Sequence, residues 1–175
     1  MKKSRVKKTK PIARKDLLFH AVHGLCLVDK VTRETRGGKR VACYSLVPTV
    51  MGKMKVRFLV AEPDLETSGF HKIISAKEAA KILEYLKAGD DKSEQTEQPW
   101  ILARNILCFS KDKLKARDQR KRQMLEYSVR GLTGELASAF GVSLKESASR
   151  IEKSLSKISK NDSLVFTTLK RVAED

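Results

Sequence analysis

Lys53, Lys55 and Arg57 alternate with Met54, Val56 and Phe58, and Val60 continues the apolar series. Side chains in an extended strand project to opposite faces with period two, so this spacing sets three cations on one face and an apolar row on the other. Such a strand at a sheet edge offers charge and unpaired backbone groups to a partner strand; edge lysines also act simply to block aggregation. A denser run, Lys111, Lys113, Lys115, Arg117, Arg120, Lys121 and Arg122, is opposed only by Asp112 and Asp118. It suits phosphate contact without base readout, and a solvated helix face has the same composition. Trp100, the sole tryptophan, stands beside an acidic stretch with Arg104 one helical turn on. An apolar ring there either packs on a helical bundle or takes over stacking lost at an opened base step while nearby cations hold phosphates.

Other chemistries find no support. His20, His23, Cys26 and Cys43 have metal-ligating side chains, but strand residues three apart point to opposite faces and cannot converge on one ion. No glycine-rich phosphate loop is present, and no nucleophile, base and orienter stand at a meaningful spacing, so no catalytic residue, metal or cofactor is expected and the chain is not read as an enzyme. Cys26, Cys43 and Cys108 are widely spaced in apolar contexts, as suits buried reduced thiols. The formal net charge of +16 favours polyanionic partners, above all nucleic acid or an assembly working on it. No apolar run approaches the ~20 residues of a membrane helix. The basic N-terminus leads into Leu17, Leu18 and Phe19, soon interrupted by His20 and His23, rather than into a secretory apolar region, which gives a cytoplasmic expectation.

The elements that position these residues fall into an α+β order. Residues 1–15 carry eight cations and no acidic residue, the composition of a disordered basic arm. Residues 16–74 read as β: Leu17–Val22, a turn at His23-Gly24, the run Leu25–Val28, a hairpin turn at Gly37-Gly38, a strand from Val41 to Val47 closed by Pro48, and the alternating strand ending at Val60. So few short strands bury little as a flat sheet, and a small β-barrel is expected. Residues 75–99 form a helix and an acidic linker. Ser75-Ala76-Lys77-Glu78 is a capping box, Ala79, Ile82, Leu83 and Leu86 are the buried stripe, and Gly89 is the stop. Residues 100–175 form an all-α bundle: an early helix with Leu102, Ile106, Leu107 and Phe109, a long one with Leu125, Val129, Leu132, Leu136 and Phe140 ending at Gly141, and a third opened by the capping box at Ser143.

His23-Gly24 with Leu25-Cys26-Leu27-Val28, then Gly38, Tyr44-Ser45-Leu46, Met54-Lys55-Val56-Arg57, and Gly69-Phe70-His71-Lys72-Ile73-Ile74 resemble, in order and spacing, the strands of the CarD (CdnL) family of bacterial transcription regulators. Its N-terminal domain is shared with transcription-repair coupling factors. Arg122-Gln123-Met124-Leu125, Leu132, Gly134-Glu135-Leu136-Ala137 and the Ser143–Leu155 segment are similar to its C-terminal helices. The resemblance covers roughly residues 16–160 and rests on joint order. It implies a Tudor-like barrel docking on the RNA polymerase β subunit, with Arg33, Lys53, Met54, Lys55 and Arg57 at that contact. It also implies a helical domain touching promoter DNA at the upstream edge of the transcription bubble through Trp100, Arg104, Lys111, Lys113, Lys115, Arg117, Arg120 and Lys121.

The expected function is a monomeric, nucleoid-associated regulator that binds polymerase and stabilises the open promoter complex. Its rivals are a general nucleic-acid-binding or ribosome-associated protein that never meets polymerase, and a protein adaptor whose charge is incidental.

Overall fold

The computed structural model describes residues 11–50, 56–65, 67–90, 94–111, 118–158 and 163–174. The fold is α+β. Strands β1 (Leu17–His20), β2 (Gly24–Arg36), β3 (Lys39–Pro48), β4 (Phe58–Ala61) and β5 (His71–Lys72) precede helices α1 (Ala76–Ala88), α2 (Gln98–Lys111), α3 (Gln119–Phe140), α4 (Leu144–Leu155) and α5 (Leu164–Glu174).

All strand pairings are antiparallel, in the order β4-β3-β2-β1-β5. The β2–β3 hairpin turns at Gly37 and Gly38, both with positive φ, the backbone glycine alone adopts without strain. β2 runs well past the apolar segment Leu25–Val28, out to Arg36. Its second half is exposed on both faces and has no apolar alternation, although Val31, Thr32 and Thr35 are β-branched residues that favour strands. Between Val28, opposite Leu46, and Lys30, opposite Ser45, the register shifts, and Asp29 is the extra residue of a β-bulge.

The inner face of the sheet carries one core, Leu18, Cys26, Val28, Tyr44, Leu46, Val60 and Phe70, with Ile12, Phe58 and Leu65 packed at its margin. The expected closed barrel does not form among the described residues. β5 pairs only with β1 and β4 only with β3, so the sheet stays open. Two physical features take the place of closure. β5 is only two residues long, and Phe70 and Leu65 roof the inner face from the connection between β4 and β5.

The other face of β1 rests on α3. Phe19 is buried with its ring against Gly134, and Ala21 joins the helical core. Gly131 and Gly134 make this approach feasible. A Cβ on Gly131 would lie 2.8 Å from the Ala21 Cβ and 2.9 Å from the Leu102 Cδ1, inside any real contact distance. Gly131→Ala should therefore lower stability by about 1–3 kcal/mol through overpacking, despite alanine's better helix propensity; thermal unfolding would measure it, and an unchanged Tm would mean that the sheet does not seat tightly on α3.

The helices enclose a second, larger core. Five of them contribute, not the expected three: Ala79, Ile82 and Leu86 of α1 and Val165, Phe166, Leu169 and Val172 of α5 are buried together with Leu102, Ile106, Leu107, Leu125, Val129, Leu132, Leu136, Ile151 and Leu155. Ser75 and Ser143 cap α1 and α4 as expected, their Oγ atoms accepting from Glu78 N at 3.2 Å and Glu146 N at 3.1 Å. Gly89 and Gly141 end α1 and α3 in the left-handed conformation. Among the described residues no helix is long and apolar enough to cross a membrane.

Candidate functional site

Two exposed regions collect the residues that could bind a partner. The first is the β4 edge. Among the described residues β4 is outermost in the sheet, and one of its sides carries no neighbouring strand. Leu59, opposite Ser45, is 78% exposed at its centre, and Val56 just before the strand is also exposed. An uncovered leucine on a sheet edge is the kind of surface proteins ordinarily protect unless a partner covers it.

Arg57 immediately precedes β4, but its guanidinium is not loose. Nη1 donates to Ser45 Oγ at 3.2 Å and pairs with Asp29 Oδ2 at 3.1 Å. The bulge that makes Asp29 the extra residue of β2 places its carboxylate there. The ion pair is half-exposed and contributes little to stability, on the order of 0–1 kcal/mol; its effect is to turn the Arg57 guanidinium inward, across β3 to β2, on the same face of the sheet as Ser45. Arg33 lies on the exposed outer half of β2, opposite Ala42 and away from the β4 edge in the register. Lys53, Met54 and Lys55 lie outside the described residues.

The second region is the junction of α2 and α3. Lys111 is exposed at the end of α2, and Arg120, Lys121 and Arg122 are exposed in the first turn of α3. Lys113, Lys115 and Arg117 lie outside the described residues. The first turn of α3 contains no acidic residue, and Asp118 makes no side-chain capping bond to it. Cations at a helix N-terminus oppose the helix dipole by about 0.3–1 kcal/mol each, while the free backbone N–H groups there attract an anion. The Lys121–Asp118 pair at 3.6 Å is exposed and offsets little of this.

Trp100 and Arg104 stand apart from that junction. Trp100 is in the first turn of α2, half-buried against the helical core, its ring meeting Tyr85 of α1 edge-on at 5.6 Å. Its Nε1 is buried. These surroundings match packing on the bundle. Arg104 Nη2 donates to the Gln95 carbonyl at 2.8 Å, fastening the segment ahead of α2. The helix starts at Gln98, so Pro99 and Trp100 belong to it, and proline is well tolerated in a first turn.

The histidines and cysteines do other work. Contrary to the expectation from strand alternation, His20 and His23 do meet, stacked at 4.6 Å, because β1 ends at His20 and the turn brings His23 back over it; His20 also lies against Phe70 at 4.7 Å and His23 meets Phe58 at 4.4 Å. Burial pushes the Cys26 thiol up to about 11, leaving it an unreactive apolar filler. Among the described residues no three His, Cys, Asp or Glu side chains are grouped as metal ligands would be.

Sequence reasoning passed over one polar contact. Glu135 of α3 is fully buried, and both its oxygens face His71 Nε2 of β5, at 2.9 and 3.0 Å. A signal existed, since Glu135 sits between the buried positions Leu132 and Leu136 and beside Gly131 and Gly134, where a solvated glutamate is out of place. No family model and no curated protein matches this chain.

Proposed function

We propose that the chain is a non-enzymatic transcription regulator that docks on the β subunit of bacterial RNA polymerase through the β4 edge. In the same reading it contacts promoter DNA with the cations at the α2–α3 junction and so favours the open promoter complex. The observation that carries the reading is the β4 edge, which no strand covers among the described residues, with Leu59 exposed on it and Arg57 on the adjoining sheet face. An edge of this kind recognises an extended segment by main-chain pairing, with side chains giving selectivity. The resemblance of residues 16–160 to the CarD family supports polymerase as the owner of that segment, and Lys53, Met54 and Lys55 extend the proposed contact; Arg33, on the outer half of β2 away from this edge, would make a separate contact. The DNA part rests on Lys111, Arg120, Lys121 and Arg122, with Lys113, Lys115 and Arg117 as further members; Arg104 and Trp100 are assigned to support of the α2 start.

The regulator acts by differential affinity, shifting the promoter equilibrium only as far as it binds the open state better than the closed one. Adding the chain to polymerase on a linear promoter should lengthen the lifetime of open complexes; an unchanged lifetime at saturating chain contradicts the role. For DNA alone, replacing Arg120, Lys121 and Arg122 with alanine should lower the slope of log affinity against log salt by about 0.9 for each phosphate that is no longer neutralised. A slope equal to that of the parent chain marks these cations as a solvated face.

A second reading, a general nucleic-acid binder, draws on the net charge of +16 and the cationic α3 start, neither of which needs polymerase. It predicts equal affinity for double-stranded DNA and structured RNA and no effect of β4 substitutions.

A further inference from the structure

The sheet and the helical core meet at few residues, and one polar pair lies in the middle of them. His71 Nε2 faces both oxygens of Glu135, and His71 Nδ1 lies 3.3 Å from the Gly69 carbonyl. A carbonyl oxygen can only accept, and so can a carboxylate, so both ring nitrogens must donate for both contacts to hold. A neutral imidazole carries one N–H and satisfies one of them. We propose that His71 and Glu135 form a proton-dependent latch between the sheet and α3: imidazolium holds the sheet seated, and loss of its proton loosens the seat.

The groups around His71 fit this assignment. Burial disfavours its charge, but the hydrogen bond and charge of Glu135 on α3, the Gly69 carbonyl ahead of β5, and Glu97 ahead of α2 outweigh burial and hold the ring above its ordinary 6.5. From β1, His20 lies on the other face of the strand, stacked on Phe70 and His23, and acts on His71 through charge alone. Its Nδ1 accepts from Val22 N at 3.1 Å and His23 N at 3.3 Å, geometry that suits a neutral ring. Burial, and then the neighbouring His23, keep it below 6.5, so it adds little opposing charge where His71 is protonated. Phe19 closes the site, its ring edge-on to His71 at 5.9 Å and packed against Gly134.

The sign follows from the direction of the His71 shift. A group held above its ordinary value contributes fully below 6.5, and its contribution drains away as pH rises through the folded value. The latch is therefore set on the acidic side and loosens toward the alkaline side.

The test is NMR of the full chain across a pH series, following the His71 ring signals together with proton–proton contacts between the Phe19 ring and Gly134. The latch predicts that His71 titrates above 6.5. It also predicts that the Phe19 contacts weaken in step with that titration, and that His71→Gln, whose amide donates to Glu135 without a titrating proton, removes the pH dependence. Titration at or below 6.5 overturns the proposal, as do Phe19 contacts that persist unchanged through the titration. The wild-type measurement decides by itself if the variant does not fold.

Discussion

His71→Ala will cost the chain about 3–5 kcal/mol of stability, because it leaves the fully buried Glu135 without its donor. The loss comes from the stranded carboxylate more than from the missing ring. Hence the double variant His71→Ala with Glu135→Leu should recover most of it, since replacing both partners of a buried polar pair by apolar groups is often near neutral. Denaturant unfolding at constant pH checks both values. A single variant that loses under about 1 kcal/mol would mean that water or another donor reaches Glu135, for the cost of stranding a buried acceptor is at least that large.

Trp100→Ala has the next largest expected effect, a loss of about 3 kcal/mol, at the lower end of large-to-small aromatic replacements because the ring is only half-buried. The loss should appear in the unfolding of the helical core, with the lifetime of open promoter complexes unchanged once the chain is folded. The alternative carried by the sequence, a ring that wedges into an opened base step, predicts the reverse pattern: near-normal stability and a several-fold faster collapse, as expected for base stacking worth about 1–3 kcal/mol. One variant and two measurements separate the roles.

Much of the fold was legible where a local rule fixes the backbone. The serine caps at Ser75 and Ser143 and the stops at Gly89 and Gly141 are short-range devices, set within a few residues, and each appears where the sequence places it, although the Glu146 carboxylate turns to Arg150 rather than back to Ser143. The β2–β3 turn at Gly37-Gly38 is legible for the same reason. Strand extent was less so: the outer half of β2 is held by its ladder with β3 rather than by a buried row, and periodicity cannot register it. Barrel closure was an argument about the number of strands, and it failed because closure depends on how far the first and last strands reach, which a two-residue β5 does not meet. The separation of α1 from the bundle, implied by reading it with the linker, overlooked that its stripe needs a partner surface, and α4 supplies one.

The candidate sites were legible as cations and not as contacts. Alternation near Arg57 marks an exposed face, but the Asp29 carboxylate that holds its guanidinium comes from a bulge far away in the chain, and nothing local announces it. Leu59 became a candidate only when β4 was seen to be outermost, because the same residue in a central strand would be covered. Trp100 beside an acidic segment fitted two roles equally in sequence, and its ring contact with Tyr85, which favours packing, comes only from the packing of α1 against α2.

The central claim is that the β4 edge is a polymerase contact, and a binding titration of the labelled full chain with purified bacterial RNA polymerase tests it most directly. The account predicts saturable binding that Leu59→Asp weakens by a factor on the order of 30, equivalent to about 2 kcal/mol at a complementary interface, while thermal unfolding stays unchanged because the side chain is 78% exposed. Arg57→Ala should weaken it in the same direction. Equal affinity of wild type and Leu59→Asp, or no binding to polymerase by a chain that still binds DNA and RNA, would contradict it.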